Sequence, residues 1–291
     1  MNVSLSIGFQ RMRFQVYRHL AAVLAGTAVT VSIAHAGPIH QGYLQYREWQ
    51  SYDWPDPEVS SPTSVSRIAH EAGWARHDGN TTIAVDYDYQ PLRIRSGSPA
   101  HNGHLHRLST GMTHDGKRFR VQGQLGVQGT SNIFKYRDFP DEVLNARLAV
   151  FHSVTGEGAP MIGVGGDHRF GSFRWIPRFY WRGRSELGSL ELDLPVLAQW
   201  HSPERQWRLR IERAGDRWAA LDSERERESR IFLREWRLEG WYRLPLQRPV
   251  PDPALVLGLS IDTRVEYLDE ELGKLDLRLG DAIFAGLRLN W

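Results

Sequence analysis

The 291-residue chain contains no cysteine and no apolar run long enough to cross a membrane as a helix. The first absence excludes disulfide stapling, so stability must come from backbone pairing and burial. The second means that any bilayer crossing must be built from strands. Lysine is scarce, with three residues, and arginine carries almost all the positive charge. A dominant charge of one sign is also missing, because 36 basic residues face 34 acidic ones. That balance gives no support to a nucleic-acid partner.

What is present begins with an export signal. Arg11, Arg13 and Arg18 supply a positive region, and Leu20 to Ile33 form a short stretch of apolar and small residues. Ala34-His35-Ala36 then gives an A-x-A cleavage site, so residues 1–36 read as a secretory signal peptide. Removing it takes away three arginines and no acid, leaving 33 basic residues against 34 acidic ones, a net of −1. Residues 37–65 lack clean periodicity and contain Pro38, Pro55, Pro57 and Pro62, which suggests a periplasmic lead-in or linker.

From about Ser66 onward, period-2 alternation dominates. Leu255, Leu257, Leu259, Ile261, Thr263, Val265 and Tyr267 fall on one face of a strand, opposite Val256, Ser260, Asp262, Arg264 and Glu266. Leu190 to Trp200, Phe173 to Trp181 and Ile83 to Tyr89 alternate in the same way. His77-Asp78-Gly79-Asn80 and His114-Asp115-Gly116-Lys117 are tight turns between such runs. Segments separated by turn signals number about twelve, an even count spread over residues 66–291. A soluble sandwich points its apolar face inward, whereas a membrane barrel points it at lipid. Alternation alone fits both.

The last segment breaks the tie. Ile283, Ala285, Leu287, Leu289 and Trp291 share one face of a strand that ends on an aromatic residue. This pattern resembles the closing strand of Gram-negative outer-membrane β-barrel proteins and brings to mind barrel families without assigned function. The resemblance implies an all-β, antiparallel transmembrane β-barrel of about twelve strands in the outer membrane. It also implies that Leu287, Leu289 and Trp291 form the signal read by the barrel-insertion machinery. Outer-membrane lipid and lipopolysaccharide would surround such a barrel, and a small solute could be its cargo.

If the polar faces line a lumen, the interior holds Arg120, Arg174, Arg178, Arg182, Glu191, Asp193, Arg208, Arg210, Glu212, Asp262, Arg264 and Glu266. Mixed signs there suggest either a cross-lumen ion-pair network or a narrow polar pore. The expectation is therefore a non-enzymatic barrel, acting as a pore or as a structural and interaction protein. A barrel enzyme acting on lipid or peptide, or a soluble periplasmic β-rich binding protein, would be the alternatives.

Chemistry-bearing motifs are weak. His104 and His106 could approach a metal from one side of a strand, but no acidic or Cys ligand joins them locally. His106 and Ser109 fall on opposite faces, which defeats a dyad, and Asp167, His168 and Ser172 sit in a turn. Gly123, Gly126, Gly129, Gly163, Gly165 and Gly166 lack the strand-to-helix context of a phosphate loop and read as curvature relief. No catalytic residue, metal or cofactor is called for.

Overall fold

The computed structural model describes residues 39–54, 63–95, 102–136, 139–156, 158–168, 173–222, 227–246, 251–269 and 273–291. The signal segment 1–36 lies outside the described residues. The strands are β1 (Ile39–Trp49), β2 (Tyr52–Trp54), β3 (Thr63–Asp78), β4 (Thr81–Arg95), β5 (Asn102–Asp115), β6 (Phe119–Thr130), β7 (Leu144–His152) and β8 (Met161–Asp167). They continue as β9 (Arg174–Ser185), β10 (Gly188–Leu194), β11 (Leu197–His201), β12 (Trp207–Asp222), β13 (Arg227–Arg243), β14 (Asp252–Asp269) and β15 (Gly273–Asn290). One short helix, α1 (Ser131–Tyr136), and a 3-10 turn at Asp141–Val143 join β6 to β7.

Neighbours in sequence pair antiparallel, and β1 pairs with both β3 and β15, so fourteen strands close a ring. The short β2 extends β1 along the edge of β3. Closing the fourteen-strand ring pairs β1 with β15 and so removes the open edges of the sheet, which stands in for the missing disulfides.

The count exceeds twelve for two physical reasons. Within the expected lead-in, Ile39–Trp49 is a full strand of the ring. Its inward residues Tyr43, Gln45, Arg47 and Trp49 are large and amphipathic, so the segment shows little apolar contrast. The second reason lies in Ser189 to Trp200, where the chain reverses at Pro195-Val196 and the Val196 N–H donates to the Asp193 carbonyl at 2.8 Å. A two-residue turn preserves the parity of the alternation, so one long strand and a tight hairpin read alike. Asp269–Gly280, expected as a loop, is strand from Gly273 onward, and β12 runs unbroken through Gly215-Asp216.

The barrel has two tiers with opposite polarity. Near the end that carries Trp291, apolar side chains point outward: Ile83, Val85, Leu108, Met112, Leu209, Ile211, Leu238, Leu257 and Ile283 are all exposed. Charged side chains fill the interior at that level. Towards the other end the pattern inverts, and Val65, Leu92, Leu105, Trp218, Ile231, Leu233, Val265 and Leu279 pack together inside the ring. The lower tier is a membrane barrel in its polarity, and the upper tier is built like a water-soluble one.

Two devices produce the inversion. In β12 and β13 the sequence itself changes phase, from Leu209 and Ile211 outside to Trp218 and Ala220 inside, and from Trp236 and Leu238 outside to Ile231 and Leu233 inside. In β14 a β-bulge does it. Trp236 is opposite Ile261 but Arg234 is opposite Arg264, and Asp262 takes φ 50° between them. The bulge leaves Ile261 and Asp262 both exposed and turns Thr263 and Val265 inward.

Strands β7, β8, β10 and β11 are shorter than β6 and β12, which flank the group, so the wall is low on that side. Above it, Ala219 of β12 pairs with Gly129 of β6 and closes the upper tier without them. The β6–β7 connection covers this seam, with Ile133 and Val143 packed on Ala219 and the Asn132 amide donating to the Leu221 carbonyl at 3.0 Å.

Candidate functional site

In the interior of the lower tier, polar groups converge on a sizeable space. A chamber of about 440 Å³ reaches from the layer of Asp88, Arg47 and Glu239 down to Thr82 and Thr113. Those two threonines face each other across β4 and β5, close to the turns at Gly79-Asn80 and Gly116. Acidic and basic side chains line the chamber in near-equal number, so it has little net preference for either sign of solute.

Its ceiling is a layer of buried ion pairs. Arg67 donates to both carboxylate oxygens of Glu235, at 2.9 and 2.8 Å, and to Gln90 at 3.1 Å. Arg237 donates to Glu235 and, at 3.2 Å, to Glu212, which also pairs with Arg210. Arg47 bridges Glu239 and Glu71. Asp216 accepts from Arg107 at 2.8 Å and Arg147 at 2.7 Å, joining β5, β7 and β12 across the lumen. The Arg67 guanidinium also lies 4.2 Å from the centre of the Trp49 ring, whose indole N–H donates to Ser260. Immediately above this layer comes the apolar upper core.

The residues expected to line a lumen separate into three groups. Arg120, Arg178, Glu191, Asp193, Arg208, Arg210 and Glu212 face the interior. Arg178 pairs with Asp193 at 2.6 Å, Arg120 lies over Tyr180, and Arg208 lies 3.7 Å from the centre of the Trp241 ring. Arg174 and Arg182 are exposed, Arg174 within electrostatic reach of Arg234 and Arg182 paired with Glu191. Asp262, Arg264 and Glu266 stand on the outer wall, because the bulge reverses their face. Arg47, Arg67, Glu71, Asp88, Arg107, Arg147, Asp216, Glu235, Arg237 and Glu239 form most of the network and were not anticipated. The usable signal was Glu235, Arg237 and Glu239 alternating with Trp236, Leu238 and Gly240.

His70, His104 and His106 lie on the outer face, whereas His77 faces Thr82 at the mouth of the chamber. Tyr46, His70, Tyr89 and His106 are cross-strand neighbours in one row, with successive ring centroids 5.3, 5.8 and 5.0 Å apart, and Phe134 of α1 continues it. Tyr87 and Tyr89 hydroxyls sit 2.8 and 2.7 Å from His106 and His104 Nδ1. Such a row suits a membrane–water boundary. No group able to hold a metal occurs among the described residues. His106 bonds Ser131 outside, whereas Ser109 is buried inside, and Ser172 lies outside the described residues.

Trp291 and Gly42 exchange backbone hydrogen bonds at 2.8 and 3.0 Å, locking the first strand to the end of β15. The indole lies so close over Gly42 that a Cβ there would collide with it. Gly42→Val should therefore impair ring closure about as much as deleting Trp291 does. Both variants should show less of the folded, heat-modifiable band on a gel than the wild type.

No family model and no curated protein matches the chain. Among solved structures, it is similar to the translocator domain of the autotransporter NalP from Neisseria meningitidis. That match has 12% identity and a TM-score of 0.31, over 98% of this chain and 96% of that one. The barrel itself is established by the strand pairing of this chain.

Proposed function

We propose that this protein is a non-enzymatic outer-membrane barrel that is closed to solute flow, with a structural or interaction role, and a polar chamber facing the periplasm. The observation that carries this reading is the stack above the chamber: a layer of buried ion pairs, then an apolar core in which Trp218 is 1% exposed. A pore needs a continuous polar path, and neither layer offers one. The exposed apolar belt of the lower tier supports the membrane placement. An even strand number puts both ends of the barrel wall on one side, the periplasmic side in barrels of this kind.

Planar lipid bilayers test it. The purified wild type should produce a quiet membrane with no conductance steps. Replacing Trp218 and Leu233 together by alanine should introduce flickering openings, because it removes the bulk of two side chains from the core. Long-lived conductance steps from the wild type would refute a closed barrel.

A further inference from the structure

The outer wall directly above the apolar belt carries a row of arginines that neither the chamber nor the upper core uses. Arg234 of β13 lies directly opposite Arg264 of β14, and Arg264 directly opposite Arg278 of β15. Cross-strand partners share a face, and like charges in that position destabilise a sheet unless counter-charge covers them. Arg213 joins them from β12, opposite Trp236 and with its guanidinium 5.4 Å from that ring.

The protein's own carboxylates, Asp262 and Asp281 at the bulge and Glu266 and Asp276 on the far side, leave the belt side of the row without an acidic group among these residues. Arg234 pairs with Glu266 and Arg264 with Asp262, while Arg278 is exposed and makes no ion pair among the described residues. The next cross-strand pair outward is acidic, Glu266 opposite Asp276, and it lies on the side of the row away from the belt. On the near side lie exposed Trp236 and Ile261, then Leu238 and Leu257. An occupant with negative charge at the level of Arg278 and its neighbours and apolar chains below them would match both surfaces. A lipid with phosphate in its headgroup has both.

We propose that Arg234, Arg264 and Arg278, flanked by Arg213, form a docking site for the phosphates of an outer-leaflet glycolipid of the lipid A type. Its acyl chains would lie against Leu238, Leu257 and Ile261. Guanidinium groups suit this task because they bind phosphate oxygens through two parallel hydrogen bonds. The site rests on the membrane placement proposed above, with the upper tier facing outward.

The test measures lipid binding to the folded full-length barrel in detergent by native mass spectrometry. Diphosphorylated lipid A should bind the wild type at least about tenfold more tightly than lipid A stripped of phosphate. The triple variant Arg234→Gln, Arg264→Gln, Arg278→Gln should lose that preference while keeping heat-modifiable migration. If the triple variant fails to fold, Arg278→Gln alone should reduce the preference measurably. Equal binding by folded variant and wild type would overturn the site, as would effective competition by inorganic phosphate, which would mark a free-anion site. Insertion into phosphatidylcholine vesicles separates the two proposals. A wild type that inserts but shows no lipid A preference refutes only this site, whereas one that cannot insert refutes the membrane placement and the site with it.

Discussion

Replacing Glu235 by alanine should cost the barrel about 3–5 kcal/mol, the range for breaking one side of a buried ion pair. Glu235 is fully buried and accepts from Arg67 and Arg237, which come from β3 and β13 on different parts of the wall. Removing the carboxylate leaves two guanidinium groups competing for Gln90, Glu212 and Glu239. The loss is measured as the change in urea-unfolding free energy in lipid vesicles, followed by tryptophan fluorescence. Combining Arg67→Met with Glu235→Leu should recover much of it, because an apolar pair needs no solvation. Exposed Arg76 and Asp78 also form a pair, but disrupting it with Arg76→Ala should change stability by less than about 1 kcal/mol. If Glu235→Ala matches the exposed control, the ion-pair ceiling is not a supporting layer.

The second large effect concerns the outer wall. Leu257 is 65% exposed, so in a water-soluble barrel Leu257→Arg would be nearly neutral. Against lipid it should destabilise by about 2–4 kcal/mol at the midplane. Seven residues along the same strand the sign of the experiment changes. Arg264→Leu lies on the outer face above the belt, where no lipid chain is to be displaced, and should cost less than about 1 kcal/mol. Refolding into short-chain phosphatidylcholine vesicles measures both. Near-neutral behaviour at Leu257 would place the lower tier in water.

Much of this barrel was legible in the sequence because period-2 alternation and Asp-Gly turns are local signals. The all-β architecture, the antiparallel hairpins and the strands from β3 to β9 follow from them. What was not legible depended on things alternation does not encode. The parity of Leu192, Leu194, Val196 and Ala198 is the same in one strand as in a hairpin that turns at Pro195-Val196. Tyr43, Gln45, Arg47 and Trp49 belong to the wall through their long-range pairing with β3 and β15, which has no local trace. The face of Arg264 and Glu266 hinged on one extra residue at Asp262.

The interior network illustrates the same limit. Arg178, Asp193, Arg210 and Glu212 were recoverable as inward residues of well-patterned strands and pair with one another or with an adjacent strand, but the pairs that cross the barrel join strands far apart in sequence. Arg67 and Glu235 are 168 residues apart. The choice between a membrane barrel and a soluble one was posed as exclusive, yet the chain is built as both, one above the other. The phase change inside β12, from Leu209 and Ile211 to Trp218 and Ala220, was the visible sign of it.

The central claim is the inversion of polarity between the two tiers, and a depth measurement tests it most directly. The chain lacks cysteine, so single cysteines at Leu209, Leu257, Ile283, Arg264 and Arg278 can each carry one nitroxide label. In vesicles the first three should be accessible to oxygen and shielded from a water-soluble nickel reagent, and the last two should show the reverse. Labels at Leu257 and Arg264 reporting the same medium would contradict a barrel that changes polarity at its β14 bulge.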